Sequence, residues 1–439
     1  MKWALYNLLF AAVYPFLLPG FLLRMLRRGG YAARMGDRFA LYPEGVFSGP
    51  QGFVWIHAVS VGEVQVAGQL MREWRKAEPD VRFCFSTTSS TGWKIAEKEV
   101  REGDVLIYNP LDFPNFVKSA LKTVRPRAIV LTESEIWPNF IRMAKKMGIP
   151  LFLVNARVSD RSAPRYKAAK WFFGEVLSCF MRIFAQSELD KRRLVAAGAP
   201  TEKVEVTGSF KFDVAHRNEA KEKELREWVG EGRILLGGST WPGEDEVLLK
   251  IYKGIVEASG AAGVRALPLL VIAPRHFEKA DAVEANIRKY GFACVRRSRG
   301  GETPPPRSVD SAGGGVVSAA LPPVFLADTT GELMGLYGIA DVVFVGKSLC
   351  AHGSQNMIEP CLCGKPTIVG PYTENFRPVM SDLLASNAII QVKDEAELEE
   401  RIVSLFANGD SGLGARAKAA VEKRLGVVAK CVKEIRSSL

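Results

Sequence analysis

WIHAVSVGEV, residues 55–64, starts as an apolar run and ends on Gly62-Glu63. A short apolar run that meets a small-residue turn and then an acid reads as a β-strand handing over to a helix, the repeating unit of α/β folds. Glu63 then falls in the first helical turn. Three roles are open to it there: an acid favoured by the helix macrodipole, a member of a capping arrangement, or a catalytic base.

Outward from this stretch the same alternation recurs. FVWIHAVS, VRFCFSTTS, DVLIYNP, AIVLTES, PLFLVNA, RIFAQS and VEVTG read as strands separated by amphipathic helical segments. After the charged stretch EAKEKELREWVG the pattern restarts with RILLGGS, LLVIAP, FACVRRS, VFLAD, DVVFVG, PTIVGP and AIIQVK. Strands alternating with helices predict right-handed βαβ units and parallel sheets. Some fourteen strands exceed one ordinary doubly wound sheet. The expectation is two Rossmann-like α/β domains facing each other across a cleft, with the boundary near residues 213–232. No short-period repeat is present, which excludes a solenoid. Residues 296–323, rich in Pro, Gly and Ser, read as a surface insertion.

The chain has 439 residues, 47% of them apolar and 24% charged, as in an ordinary core-forming protein. A formal charge of +11 suits an acidic partner: phosphorylated substrates, an anionic membrane face or nucleic acid. Nucleic acid ranks last, because no helix-turn-helix, zinc-finger or RNA-recognition signature occurs. Seven cysteines form no paired CxxC motif and the four histidines are far apart, so reduced thiols and no structural zinc are expected. Residues 4–23, ALYNLLFAAVYPFLLPGFLL, carry no charge and precede Arg24, Arg27 and Arg28. Such a stretch is long enough to span a bilayer, although Pro15 and Pro19 leave a kinked or interfacial helix open. The flanking arginines place the body of the protein in the cytoplasm. A buried first helix is the alternative.

In parallel sheets ligands gather at the carboxyl ends of strands, which draws attention to the residues there. VGKS at 345–348 is not a P-loop, since the position of its first glycine is Asp341. No GxGxxG follows the first strand and no GxSxG is present. KSLCAHGSQ, leading into NMIEPCLCGKPTIVGP, has the composition of a loop whose free N–H groups meet an anion at a helix start. There Asn356 and Glu359 either face a ligand together or form a cap and its box. DTTGELMGLYGIAD repeats the small-residue-plus-acid pattern, and Arg275 after LLVIAP adds a cation. Together these favour a nucleotide.

The ordered motifs WIHAVSVGEV, FSTTSSTGW, YNPLDFP, LTESEIWPN, LVNARVSDRS, TGSFKFD, GSTWPGEDE, APRH, LADTTGELMGLY and NMIEP resemble the 3-deoxy-D-manno-octulosonic acid (Kdo) transferases, from about Phe39 to Glu374. The resemblance implies a GT-B glycosyltransferase with an N-terminal membrane anchor (residues 1–30), an acceptor-binding domain (31–213) and a donor-binding domain (214–439) whose last helix returns to the first. It also implies inverting transfer of Kdo from CMP-Kdo to a lipid A precursor, lipid IVA, on the cytoplasmic side of the inner membrane, without cofactor or catalytic metal. By motif, Glu63 matches the general base, and Glu135 and Lys211 match residues that support the transition state. Pro274, Arg275, Gly331, Glu332, Leu333, Asn356, Met357, Ile358 and Glu359 match the CMP-binding segments. Where the family commonly has GGHNxxEP, this chain reads HGSQNMIEP, with Gln355 and Met357. Two rival readings stand beside this one: a GT-B transferase using another nucleotide sugar, and an inactive membrane-bound lipid-binding homologue. The oligomeric state is not legible.

Overall fold

The computed structural model describes residues 2–28, 32–47, 49, 51–214, 219–261, 267–300 and 321–439. Most of the expected 296–323 insertion, residues 301–320, lies outside the described residues, as do residues 215–218 of the expected boundary. The chain divides into two compact units, Met1–Val214 with Gly426–Leu439, and Ala215–Leu425.

The first unit contains seven strands: β1 (Val54–His57), β2 (Phe83–Thr87), β3 (Val105–Tyr108), β4 (Ala128–Thr132), β5 (Leu151–Ala156), β6 (Arg182–Ala185) and β7 (Val204–Val206). They pair in the order β3-β2-β1-β4-β5-β6-β7, every pair parallel. A parallel sheet needs a crossover after each strand, so helices cover both faces and the strands read as continuous apolar runs. Successive residues then point to opposite cores: Trp55, Ile129 and Leu131 to one, Val54, Ile56 and Val130 to the other. The strand order reverses between β1 and β4, and there the crossovers leave in opposite directions and open a crevice.

The C-terminal helix Val427–Arg436 belongs to this first unit. Its Val427, Val428, Cys431, Val432 and Ile435 are buried in the same core as Val54 and Ile56. Asp213 accepts from the N–H groups of Gly426 and Val428, each at 2.7 Å, and so caps the helix from far away in sequence. Fully burying an aliphatic side chain is worth about 1.5–3 kcal/mol and a cap about 1 kcal/mol, so packing holds this helix and the cap fixes its register.

The first helix runs continuously over Lys2–Arg28, through Pro15 and Pro19. Trp3, Tyr6, Phe10 and Tyr14 recur at helical spacing and stack on the first unit, with Trp3 and Tyr6 against Phe172 and Phe10 and Tyr14 against Phe113. Tyr6 donates to Asp112 at 3.0 Å and Lys2 pairs with Glu175. Leu5, Leu8, Leu9, Val13 and Phe16 are exposed. No helix among the described residues is long and apolar enough to cross a membrane. Of the forms the sequence leaves open, a bilayer span does not match this helix, whose aromatic face packs on the protein while Leu8, Leu9 and Phe16 stay exposed.

The second unit repeats the plan with β8 (Ile234–Thr240), β9 (Leu269–Pro274), β10 (Cys294–Arg296), β11 (Val324–Leu326), β12 (Val342–Val345), β13 (Thr367–Val369) and β14 (Ile390–Gln391). The order is β10-β11-β9-β8-β12-β13-β14, again all parallel, and it reverses between β8 and β12. The backbone is crowded at that reversal. A side chain on Gly346 would run into the Ser239 carbonyl, and Ser239 itself has φ +53°.

Glu244, fully buried in the first turn of the helix Glu244–Ala261, fills the β8/β12 crevice. Its Oε2 accepts from the N–H groups of Trp241 at 2.8 Å and Lys347 at 2.7 Å. Its Oε1 accepts from Ser348 and Leu349 at 3.0 Å and Cys350 at 3.4 Å. The composition of KSLCAHGSQ, residues 347–355, predicts free N–H groups for a ligand anion. For residues 347–350 that expectation is corrected: the protein's own carboxylate already occupies them. Replacing Glu244 with Gln sets an NH2 against backbone donors and should cost roughly 3 kcal/mol. We expect a lowered urea midpoint with faster amide exchange at 347–350; an unchanged midpoint and exchange pattern contradicts this account of the loop.

Candidate functional site

At the β1/β4 crevice three carboxylates come together. Ser60 caps the helix Val61–Ala77, and its hydroxyl accepts from the Glu63 N–H at 3.3 Å. Glu63 answers in kind: Oε1 accepts from Ser60 Oγ at 2.9 Å and Oε2 from the Val59 N–H at 2.9 Å. This is a reciprocal capping arrangement of the kind that S-x-x-E favours. Capping does not use up the side chain, because each carboxylate oxygen has a second lone pair. Burial, and then the nearby charge of Glu135, push the Glu63 carboxyl above its ordinary range, while the Val59 and Ser60 bonds pull the other way. Thr132 Oγ1 stands 3.4 Å from Glu63 Oε2 and donates to the His57 carbonyl at 2.9 Å.

Glu135 follows β4 and accepts from Trp137 Nε1 at 2.8 Å; the same oxygen is 3.8 Å from His57 Nε2. Between them in sequence is Glu133, buried, at φ +52°. A non-glycine residue rarely adopts this left-handed conformation. Here it is held from both sides: Arg157 donates to Glu133 at 2.6 Å and Asn155, itself at φ +52°, at 3.3 Å. Asn155 Oδ1 accepts from the Phe210 N–H at 3.1 Å, tying the 208–213 loop that carries Lys211 to β5. Burial lowers the Lys211 ammonium below its ordinary range; Glu133 opposes this and Arg157 adds to it. The sequence-derived trio is thus placed on one unit, with Glu63 and Glu135 electrostatically coupled and Lys211 coupled to Glu133. Glu133, Arg157, Asn155 and His57 lie in the motifs already quoted. Their strand-end positions were the only signal that could have singled them out.

The second unit holds the donor-side candidates, which follow the carboxyl ends of β9, β11 and β12 and so share one sheet edge. Arg275 is exposed, with its N–H donating to the Thr240 carbonyl at 3.0 Å. Pro274 lines a cavity of about 310 Å³ with Thr240, Trp241, His276, Lys279 and Asn286. Gly331 is exposed at φ +83°. Glu332, which precedes the short helix Leu333–Ile339, is buried and ion-paired with Arg297 at 3.0 Å and Lys221 at 3.4 Å. Burial alone would raise its carboxyl; the Arg297 and Thr329 bonds hold it below the ordinary range.

Asn356 Oδ1 accepts from the Ile358 N–H at 3.1 Å, and its Nδ2 donates to Glu359 at 3.0 Å. Burial raises the Glu359 carboxyl, and the Asn356 bond moderates the shift. Met357 and Ile358 are fully buried, and the Ile358 N–H is already taken by Asn356. Leu333 is half-buried beside Glu332. Among the described residues no group of three His, Cys, Asp or Glu side chains is arranged to hold a metal ion.

A family model described as 3-deoxy-D-manno-octulosonic-acid transferase (kdotransferase) matches residues 33–214. The 3-deoxy-D-manno-octulosonic acid transferase of Haemophilus influenzae is 32% identical over 381 residues, covering 86% of this chain and 84% of its own. That of Bordetella pertussis is 34% identical over 362 residues, covering 81% and 79%. Among solved structures, a glycosyltransferase from Rickettsia africae aligns over 88% of this chain and 98% of its own, with a TM-score of 0.55 and 13% identity, a likeness of fold. With two relatives above 30% identity along most of its length, the chain belongs to the 3-deoxy-D-manno-octulosonic acid transferase family and is a glycosyltransferase.

Proposed function

We propose that this enzyme transfers Kdo from CMP-Kdo to a lipid A precursor, lipid IVA, in lipopolysaccharide biosynthesis, inverting the anomeric centre in a GT-B arrangement and using neither cofactor nor catalytic metal. The observation that carries the reading is the buried Glu63 carboxyl at the β1/β4 crevice, raised by burial and by Glu135. A carboxylate shifted toward neutrality is a stronger base than an ordinary one, and general-base help is worth roughly 10²–10⁴-fold.

In the proposed step the acceptor hydroxyl oxygen attacks the anomeric carbon of Kdo. Its proton passes to Glu63 as the bond to the CMP phosphate breaks, and CMP leaves with the electron pair. Glu135 and Lys211 support the charge that develops on the sugar and its carboxylate. Lys211 suits that part because it is half-buried and its interaction with Glu133 favours the charged form. On the donor side Arg275, Gly331 and the Asn356–Glu359 segment bind CMP. The exposure of Arg275 supports a phosphate contact. Glu332 stays in the proposed CMP-binding segment, its carboxylate held by the pairing with Arg297.

The first helix supports a place on the cytoplasmic face of the inner membrane, lying in the interface. Exposed Leu8, Leu9 and Phe16 are available to acyl chains while Tyr6 and Phe10 hold the protein. The sequence adds Arg24, Arg27 and Arg28, charges that suit anionic headgroups.

Two experiments test this reading. Nucleotide release is followed with CMP-Kdo and with UDP-hexosamines in the presence of acceptor. We expect release from CMP-Kdo alone, and a Glu63→Gln variant that binds CMP-Kdo normally but loses transfer by about 10²-fold or more. Release from a UDP-sugar supports the rival transferase, no release from any donor supports an inactive homologue, and near-normal turnover by the variant returns Glu63 to capping alone. For the membrane, Leu8→Glu with Phe16→Glu should weaken co-sedimentation with anionic vesicles by about tenfold or more; unchanged co-sedimentation overturns the interfacial placement.

A further inference from the structure

We propose that Arg297 is a positioning residue for the donor, holding the exposed backbone of residues 329–331 in place by gripping Glu332. The inference rests on the proposed binding of CMP at that segment. Thr329, Thr330 and Gly331 follow β11 and are exposed, between two buried acids, Asp328 and Glu332. The short turn Arg297–Arg299, directly after β10, takes hold of both acids. Asp328 Oδ1 accepts from the Ser298 N–H at 2.9 Å, and Oδ2 from Ser298 Oγ at 2.6 Å and Arg296 Nε at 2.8 Å. Glu332 Oε1 accepts from Arg297 Nη2 at 3.0 Å and from Nε at 3.2 Å, and Nε is also 3.2 Å from Oε2. The exposed segment is thus tied down at each end.

The Glu332 carboxylate has no capacity left for a ligand hydroxyl. Lys221 Nζ adds a further donor to Oε1 at 3.4 Å, and Thr329 Oγ1 donates to Oε2 beside Arg297 Nε. An ionised carboxylate offers about two acceptor sites on each oxygen, and these are filled. Arg297 is itself braced. It pairs with Glu224 of the helix Glu219–Val229, and its guanidinium carbon lies 5.5 Å from the centre of the Trp228 ring. Trp228 in turn meets Phe325 of β11 edge-on at 5.4 Å. The grip on residues 329–331 is therefore anchored in the sheet that carries them. Buried ion pairs roughly break even in stability, because desolvation offsets the attraction. What a planar, two-pronged guanidinium adds is a fixed geometry. A donor that meets the backbone of 329–331 then finds it already ordered.

The test measures kcat and KM for CMP-Kdo in Arg297→Ala, Arg297→Lys, Glu332→Gln and the double variant Arg297→Ala with Glu332→Gln. All are made in the full chain. Residues freed by the substitution must be ordered when the donor binds, and ordering one residue's backbone costs about tenfold in affinity. KM should therefore rise about tenfold in Arg297→Ala. Its kcat should stay near wild type, since saturating donor restores the order of the segment. Arg297→Lys should recover part of the loss, because it keeps the charge and loses the fork. The double variant should be no worse than the poorer single one, as both changes remove the same contact. A lowered kcat at wild-type KM in the two Arg297 variants overturns the proposal and leaves Arg297 structural. Losses that add in the double variant also overturn it, since Glu332 would then act on the donor independently. If Arg297→Ala does not fold, Arg297→Lys and Glu332→Gln are read by the same criterion, and wild-type KM in both overturns the proposal. A Gly331→Val variant with unaltered CMP affinity by calorimetry would instead defeat the placement of CMP at this segment, a separately visible failure.

Discussion

Three carboxylates at one sheet edge have to be kept from repelling one another out of the fold, and the first unit is organised around that constraint. Each is compensated differently. Glu63 is held by the Val59 N–H and the Ser60 hydroxyl, Glu133 by Arg157 and Asn155, and Glu135 by Trp137 with His57 beside it. The compensation is incomplete at Glu63, whose carboxyl is left raised by burial and by Glu135. Incomplete compensation at a fixed position is what a general base requires: a proton affinity above that of a solvated acid, held where a substrate can reach it.

The second unit meets the same topology with the opposite solution. At its β8/β12 reversal a single carboxylate, Glu244, is satisfied almost to excess by backbone N–H groups from two loops. The 347–350 loop is consequently a fixed support, and it carries the Asn356–Glu359 segment from a rigid base. Arg275 and the Gly331 turn, by contrast, are exposed. One crevice thus keeps an acid incompletely compensated, and the other spends an acid on rigidity.

Much of the architecture was legible in the sequence because parallel strands, buried on both faces, must be continuous apolar runs, and all fourteen runs became strands. The capping alternative for Glu63 was legible for the same local reason: Ser60 and Glu63 are three residues apart. What escaped depends on contacts distant in sequence. Glu244 reaches amides 103–106 residues away, so nothing near KSLCAHGSQ indicated that its N–H groups were taken. Motif resemblance carries positions but not side-chain directions, so the burial of Met357 and Ile358 within the segment matched to the donor could not be read from it. For the first helix, composition alone left a span, an interfacial helix and a buried helix open, and only the contacts of Trp3, Tyr6, Phe10 and Tyr14 show that one face packs on the protein.

Mass spectrometry of a lipid A precursor incubated with the enzyme and CMP-Kdo tests the central claim most directly, because donor, acceptor and bond are read in one product. The account predicts a precursor heavier by whole Kdo units, formed by wild type and absent with Glu63→Gln. An unmodified precursor, or one carrying a different sugar, would contradict it.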